Sequence, residues 1–281
     1  MTEPIRVGIF GWPVAHSRSP QMHEAAARAL GIDLRYERFA VPADRLAKAV
    51  KREHDAAIDG YNLTVPHKEA VLVLLDEVAP AALAIGAVNT VARIDARYVG
   101  HNTDAPGLVH ALQEAGVPLV GARVVVLGAG GAARAAVVGL ADAGVDEISV
   151  LSRKPERSEA LVRSLGPRVA CSLDSGSIGE AGGYFETATL LVQATSATLG
   201  SNESARAFAT SLPIDALPPG AAVFDMVYEP LETTLLAGAR KRGLETIDGL
   251  GMLLHQGAIA FEMWTGLIPP LDVMRAALSS A

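Results

Sequence analysis

The stretch ARVVVLGAGGAARAAVVGLADAGVDEISVLSRK, residues 122–154, decides the fold. Its first six residues form a short, branched, almost wholly apolar run, the pattern of a strand buried on both faces. Six small residues follow, then an Ala-rich segment of helical period, then a second apolar run, ISVL. Strand, tight turn, helix and strand in that order make a βαβ unit. Gly128, Ala129, Gly130, Gly131, Ala132 and Ala133 fit G-x-G-x-x-G/A, with Ala133 in the last place. Such glycines let the backbone approach a pyrophosphate, which the positive end of the following helix stabilises. Glycines also serve plain βα turns, but the strand–turn–helix setting favours a dinucleotide site.

The end of the second strand discriminates between cofactors. An NAD site usually carries an acid there, bonded to the ribose hydroxyls. Here the strand ends in Ser152-Arg153-Lys154, with Arg157 one turn on. Residues 152–168 hold five basic side chains against two acidic ones, and a 2′-phosphate needs such cations. A solvated helix face is the plain alternative; the local charge inversion favours NADP.

Working outward, apolar runs alternate with helical patterns along most of the chain. Strand-like runs fall at 6–10, 36–41, 189–194 and 222–227, and a hairpin-like pair at 87–94 and 98–102. Helical patterns fall at 20–30, 42–53, 66–75, 105–115, 233–242, 250–264 and 271–278. This alternation predicts an α/β architecture with largely parallel sheets. Residues 172–187 and 200–220 are rich in Gly, Ser and Pro and read as loops. The 281 residues suggest about two domains. A net charge of 24 − 31 = −7 argues against bulk nucleic-acid or anionic-membrane binding. Cys171 is the sole cysteine, so no internal disulfide or cysteine-based zinc cluster can form. The histidines form no H-E-x-x-H pattern, and no metal is inferred. The first residues lack the apolar run of a signal peptide, which leads us to expect a soluble, cytoplasmic protein.

Four polar motifs precede the nucleotide unit. Ser17-Arg18-Ser19-Pro20 is either a helix cap or an anion site made of two hydroxyls and a helix N-terminus. In Asn62-Leu63-Thr64-Val65-Pro66-His67-Lys68, Asn62 and Thr64 share one side of a strand. Pro66 is expected to start a helix, placing Lys68 in its first turn, the unfavourable end for a cation. A local rule broken in that way marks function, against the plain reading of a solvated lysine. Asn89-Thr90 and Asn102-Thr103-Asp104 complete the set. Asp104 either caps the next helix or orients Lys68. Asn62, Asn89 and Asn102 offer amides that read hydroxyls without titrating. Uncharged donors, one ion pair and one anion site suit a small polyhydroxylated acid. Later, Gln256 lies on the apolar helical stripe Met252, Gln256, Ile259, Met263 and must find a partner, either a ligand hydroxyl or a backbone carbonyl. Tyr228, after the strand AVFDMV, is a core tyrosine or a substrate contact.

Taken together, GWPVAHSRSP, GYNLTVPHK, GAVNTV, GHNTDAPG, VLGAGGAARA, VYEPLETTLL and DGLGMLLHQGAIAFEMWTG resemble the shikimate dehydrogenase family over nearly the whole chain. The resemblance implies two α/β domains with a cleft between them. The substrate domain would be discontinuous, residues 1–104 with a mixed sheet plus the returning helices 250–281. A Rossmann-like NADP domain would span 105–249. It implies reversible NADPH-dependent reduction of 3-dehydroshikimate to shikimate, with Lys68 and Asp104 as the catalytic acid–base pair. Ser17 and Ser19 would hold the substrate carboxylate. Asn62, Thr64, Asn89, Asn102, Tyr228 and Gln256 would contact the rest of the substrate. The cofactor would lie against residues 128–133, Ser152, Arg153, Lys154 and Arg157, with Thr195, Ser196, Gly249 and Met252 near the nicotinamide and ribose. A monomer or homodimer is expected.

Three departures are visible, one of them the segment 197–220, which fits the family pattern only loosely. Family members often carry Asn-Ala-Thr-Ser where this chain has Gln193-Ala194-Thr195-Ser196, and Thr-Pro where it has Thr233-Thr234. The rival expectations are a quinate/shikimate dehydrogenase preferring NAD and a non-catalytic nucleotide-sensing protein on the same fold. Ser152-Arg153 argues against the first, and retention of both Lys68 and Asp104 against the second.

Overall fold

The computed structural model describes residues 3–279, and these divide into two compact units: residues 3–107 with 253–279, and Leu108–Met252. The first unit runs β1 (Ile5–Gly11), α1 (Ser19–Ala29), β2 (Leu34–Ala40), α2 (Leu46–Asp55), β3 (Gly60–Leu63), β4 (Glu77–Val78), α3 (Pro80–Ile85), β5 (Thr90–Ile94) and β6 (Arg97–His101). It continues into α4 (Asp104–Glu114). The second contains β7 (Arg123–Leu127), α5 (Gly131–Asp142), β8 (Glu147–Ser152), α6 (Pro155–Leu165), β9 (Ser172–Ser177), α7 (Ala181–Phe185), β10 (Leu190–Gln193), α8 (Glu203–Ser211), β11 (Ala222–Asp225), α9 (Thr234–Lys241) and β12 (Glu245–Ile247). Two helices close the chain, α10 (Leu250–Thr265) and α11 (Leu271–Ser279).

The second unit's sheet has the order β12-β11-β10-β7-β8-β9 and is parallel throughout. Side chains alternate faces along a strand, so a strand covered on both sides must be apolar at every position. Val124 and Val126 enter one core cluster and Val125 and Leu127 another. Leu190 and Val192 divide from Leu191 in the same way. That is why ARVVVL reads as an unbroken run. The chain progresses from β7 outward to β9, then returns to β10 on the other side of β7. The reversal point between β7 and β10 is where open α/β sheets bind ligands, beyond the strands' carboxyl ends.

The first unit's sheet is mixed, in the order β2-β1-β3-β5-β6-β4. β1 pairs parallel with β2 and β3, whereas β3–β5 and β5–β6 are antiparallel. Its core is built on Phe10, whose ring lies 4.7 Å from Phe39 and 5.0 Å from Tyr61. The last helices return to this unit. Trp264 Nε1 on α10 donates to the Val91 carbonyl of β5 (2.9 Å), and Arg18 reaches the Leu278 carbonyl on α11 (3.0 Å).

Two sequence expectations fail. Residues 172–187 and 200–220 are not plain loops. β9 adds to β8 through backbone bonds that need no apolar side chains, and Ser177 and Glu180 form a capping box after it. Asn202 caps α8 by accepting from the Ala205 amide (2.9 Å), while Ala205 and Ala209 bury its inner face. The expected helix at 66–75 is a turn followed by a short 3-10 segment, Ala70–Leu74. The Lys68 carbonyl accepts from the Val88 amide (2.8 Å), a tertiary bond that replaces the helical one.

Candidate active site

In the first unit, the turn after β3 and the start of α4 bring Lys68 and Asp104 together. Lys68 Nζ lies 2.5 Å from Asp104 Oδ2, with the side chains only 15% and 6% exposed. Lys68 thus sits in a turn, and its electrostatic partner is a carboxylate rather than a helix terminus. Asp104 therefore contacts the lysine directly. The capping contact comes from Asn102, whose Oδ1 accepts from the Ala105 amide (3.1 Å) while its Nδ2 donates to the Ala87 carbonyl (2.9 Å).

Asn89 braces the aspartate. Its Nδ2 faces Asp104 Oδ1 and Thr103 Oγ1, both at 2.9 Å, and Gln256 Oε1 at 3.3 Å. Its Oδ1 accepts from the Thr103 amide (2.6 Å). An amide so committed cannot turn, and the carboxylate it holds cannot turn either. Gln256 takes the backbone-carbonyl option, donating to Leu253 O (2.8 Å), and turns its Oε1 towards Asn89 and Thr103. Gly107 makes this approach possible, because a Cβ there would stand 2.7 Å from Gln256 Cβ.

Asn62 belongs to the same buried polar layer. It donates to the Asn89 carbonyl (3.2 Å) and Thr90 Oγ1 (3.0 Å), and accepts from the Tyr36 hydroxyl (2.6 Å). Tyr36 stacks on His23, whose burial lowers its pKa to about 3 and keeps the ring neutral. The Ser17 hydroxyl accepts from the Ser19 amide (3.3 Å), and both serines are buried. Arg38 holds the Ser17 carbonyl with two bonds of 3.1 and 2.7 Å. Half-buried Thr64 follows β3, its amide bonded to Phe10 O (2.9 Å). Sequence reading missed Tyr36, Thr90 and Thr103. The two threonines lie inside motifs quoted for their asparagines and were the available signal.

The second unit carries the nucleotide-type residues. Gly128 has φ +119°, which disfavours any side chain, and a Cβ there would meet Thr195 Cγ2 at 2.9 Å. Gly130 is the N-cap of α5, which has no side-chain cap and no acid in its first turn, so its leading N–H groups remain available to an anion. Ala129, Gly131 and Ala132 are half-buried and Ala133 is packed in the core. At the tip of β8, the Ser152 hydroxyl donates to the Lys154 carbonyl (2.6 Å), shaping the turn from which Arg153, Lys154 and Arg157 project exposed. None of those three cations forms an ion pair among the described residues. Half-buried Thr195 and exposed Ser196 follow β10. Gly249 lies so close to Met226 that a Cβ would stand 2.3 Å from its carbonyl oxygen. Met252 is buried in the core cluster, and Tyr228 is half-buried after β11. Among the described residues, no three of His, Cys, Asp or Glu gather as a metal set, and no helix is long and apolar enough to cross a membrane.

A parallel sheet with a glycine turn at its reversal point, together with a separate mixed sheet flanked by a half-buried lysine paired with a buried aspartate, defines an α/β dehydrogenase of the dinucleotide-binding class. Three family descriptions match in sequence: the shikimate dehydrogenase substrate binding domain over residues 9–91, shikimate / quinate 5-dehydrogenase over 110–204, and the shikimate 5′-dehydrogenase C-terminal domain over 249–278. The chain belongs to the shikimate dehydrogenase family. A shikimate dehydrogenase (NADP(+)) of Symbiobacterium thermophilum is 44% identical over 282 residues, covering 98% of this chain and 94% of that one. The Thermus thermophilus shikimate 5-dehydrogenase, solved with NADP(H) and shikimate, is 40% identical with a TM-score of 0.85, covering 98% and 99% of the two chains. The quinate dehydrogenase of Corynebacterium glutamicum, solved with NAD, is 32% identical with a TM-score of 0.86 and 99% coverage of both.

Proposed function

We propose that the chain catalyses the reversible reduction of 3-dehydroshikimate to shikimate with NADPH. The observation that carries this reading is the Lys68–Asp104 pair, held at 2.5 Å within a fixed amide network, in a family whose members include NADP-dependent shikimate dehydrogenases. The glycine turn, the uncapped start of α5 and the exposed Arg153, Lys154 and Arg157 suit a phosphorylated dinucleotide. Bound there, NADPH supplies the hydride that adds to the ring carbonyl carbon.

Lys68 donates a proton from its ammonium to the carbonyl oxygen as negative charge develops there, and takes it back in the reverse direction. Asp104 holds the ammonium in place and accepts from a substrate hydroxyl. Asn89 and Gln256 keep the carboxylate oriented so that no reorganisation accompanies the proton transfer. Ser17 and Ser19 bind the substrate carboxylate, with Arg38 fixing the Ser17 backbone. Asn62, Thr64, Asn102 and Tyr228 complete the substrate contacts.

The test is an oxidation assay that pairs shikimate or quinate with NADP⁺ or NAD⁺. Reduction of NADP⁺ by shikimate, far above the other three combinations, is the expected result. Turnover preferring quinate with NAD⁺ would support the rival dehydrogenase. No turnover in any arm would support the nucleotide-sensing reading.

A further inference from the structure

Asp225 ends β11 and is fully buried, yet among the described residues it has no cation beside it. Every group bonded to it is neutral. Its Oδ1 accepts from the Val227 amide (3.0 Å) and the Thr198 hydroxyl (3.1 Å), and Gln193 Nε2 stands at 3.5 Å. Its Oδ2 accepts from the Thr233 hydroxyl (2.8 Å), which in turn caps α9 by accepting from the Leu236 amide (3.3 Å). One carboxylate therefore ties together the segment after β10, the segment after β11 and the start of α9.

The bonds continue towards the glycine turn. Gln193 Nε2 donates to Thr198 Oγ1 (2.7 Å) and to the Thr195 carbonyl (2.9 Å), and its Oε1 accepts from the Thr195 amide (2.7 Å). Both backbone groups of Thr195 are thus held by a single side chain. Thr195 is the residue that a Cβ on Gly128 would strike. On the other side, Val227 O accepts from the Gly249 amide (3.3 Å). The family's common Asn would be one methylene shorter at position 193. In this chain Gln193 spans from Thr195 to the carboxylate's own partner, Thr198.

We propose that Asp225 is a positioning residue: through Thr198 and Gln193 it fixes the loop after β10 against the glycine turn, and so sets affinity for NADPH without entering the chemistry. This rests on the NADPH reading above. The buried carboxylate acts as a shared acceptor, because its three short bonds come from three segments: Thr198 after β10, Val227 after β11 and Thr233 at the start of α9.

The test measures NADPH binding by titration calorimetry, together with steady-state kinetics, on the whole enzyme. Thr198→Val removes the hydroxyl between Gln193 and Asp225 and leaves the carboxylate in place. We expect its Kd for NADPH to rise about three- to tenfold, with kcat at saturation within about twofold of wild type. Asp225→Ala should raise Kd by about tenfold or more, and Asp225→Asn, which keeps an acceptor for Val227 and Thr198, should recover most of that loss. Should Asp225→Ala fail to fold, Thr198→Val and Asp225→Asn decide alone. Wild-type affinity in folded Thr198→Val, or a loss confined to kcat, overturns the proposal while the wild enzyme still binds NADPH. Failure of the wild enzyme itself to bind NADPH overturns the cofactor reading instead.

Discussion

Two buried aspartates, one in each unit, are held in opposite ways. Asp104 faces the Lys68 ammonium and one amide. Asp225 faces only hydroxyls, a backbone N–H and a more distant amide. A buried charge costs several kcal/mol unless paired or well bonded, and the two sites meet that cost by different means. With a cation, the pair holds a transferable proton next to a fixed base. Without one, burial pushes the Asp225 carboxyl up to about 6, and its four bonds only partly counter the rise. The first arrangement suits proton chemistry and the second suits holding loops.

The largest expected effect removes the cation from the first site. Lys68→Ala should lower kcat by ~10²–10⁴, the span usual for a general acid, with a much smaller change in KM. Near-wild turnover in steady-state kinetics would take Lys68 out of the mechanism and leave the two aspartates without a functional contrast.

The second effect probes the absence of a cation at Asp225. Its folded pKa of about 6 lies above the ordinary 3.8, so between those values the folded protein binds more protons than the unfolded one. Stability from this group is therefore present in acid and is lost as pH rises through about 6. Asp225→Asn should abolish that dependence. Urea unfolding at about pH 4 and about pH 7 should show the wild-type chain losing on the order of 2–3 kcal/mol relative to the variant. A difference between the two proteins that stays constant with pH would mean that Asp225 is ionised as readily in the fold as outside it.

The smallest effect concerns the cations of the second unit. Replacing Arg153 and Lys154 by Ala should raise KM for NADP⁺ by about ten- to a hundredfold and leave NAD⁺ kinetics nearly unchanged, since each bond to a charged phosphate contributes ~1.5–3 kcal/mol. Equal changes for both cofactors would remove the 2′-phosphate assignment and leave these cations as a solvated face.

The same contrast explains what could be read from the chain. Residues 122–154 announce their βαβ unit because both faces of β7 are buried and the turn requires glycine. Lys68 and Asp104 were legible as types, since a lysine after Pro66 and an aspartate after Asn102-Thr103 are chemically conspicuous. The local structure around Lys68 was not, because the Val88 amide claims its carbonyl from twenty residues away. β9 was hidden by its Ser-rich composition and α8 by the Gly, Ser and Pro residues that flank it, their stability coming from a neighbouring strand and a cap. Asp225 left one signal, a charge inside the apolar strand AVFDMV. Its partners Gln193, Thr198 and Thr233 are scattered over forty residues, and no spacing rule joins them.

The same substitution placed at both aspartates separates the two roles most directly. With shikimate and NADP⁺ saturating, we expect kcat of Asp104→Asn to fall by ~10²-fold or more and kcat of Asp225→Asn to stay within about threefold of wild type. Comparable losses of kcat at the two positions, or the larger loss at Asp225, would contradict the assignment of proton chemistry to the first unit alone.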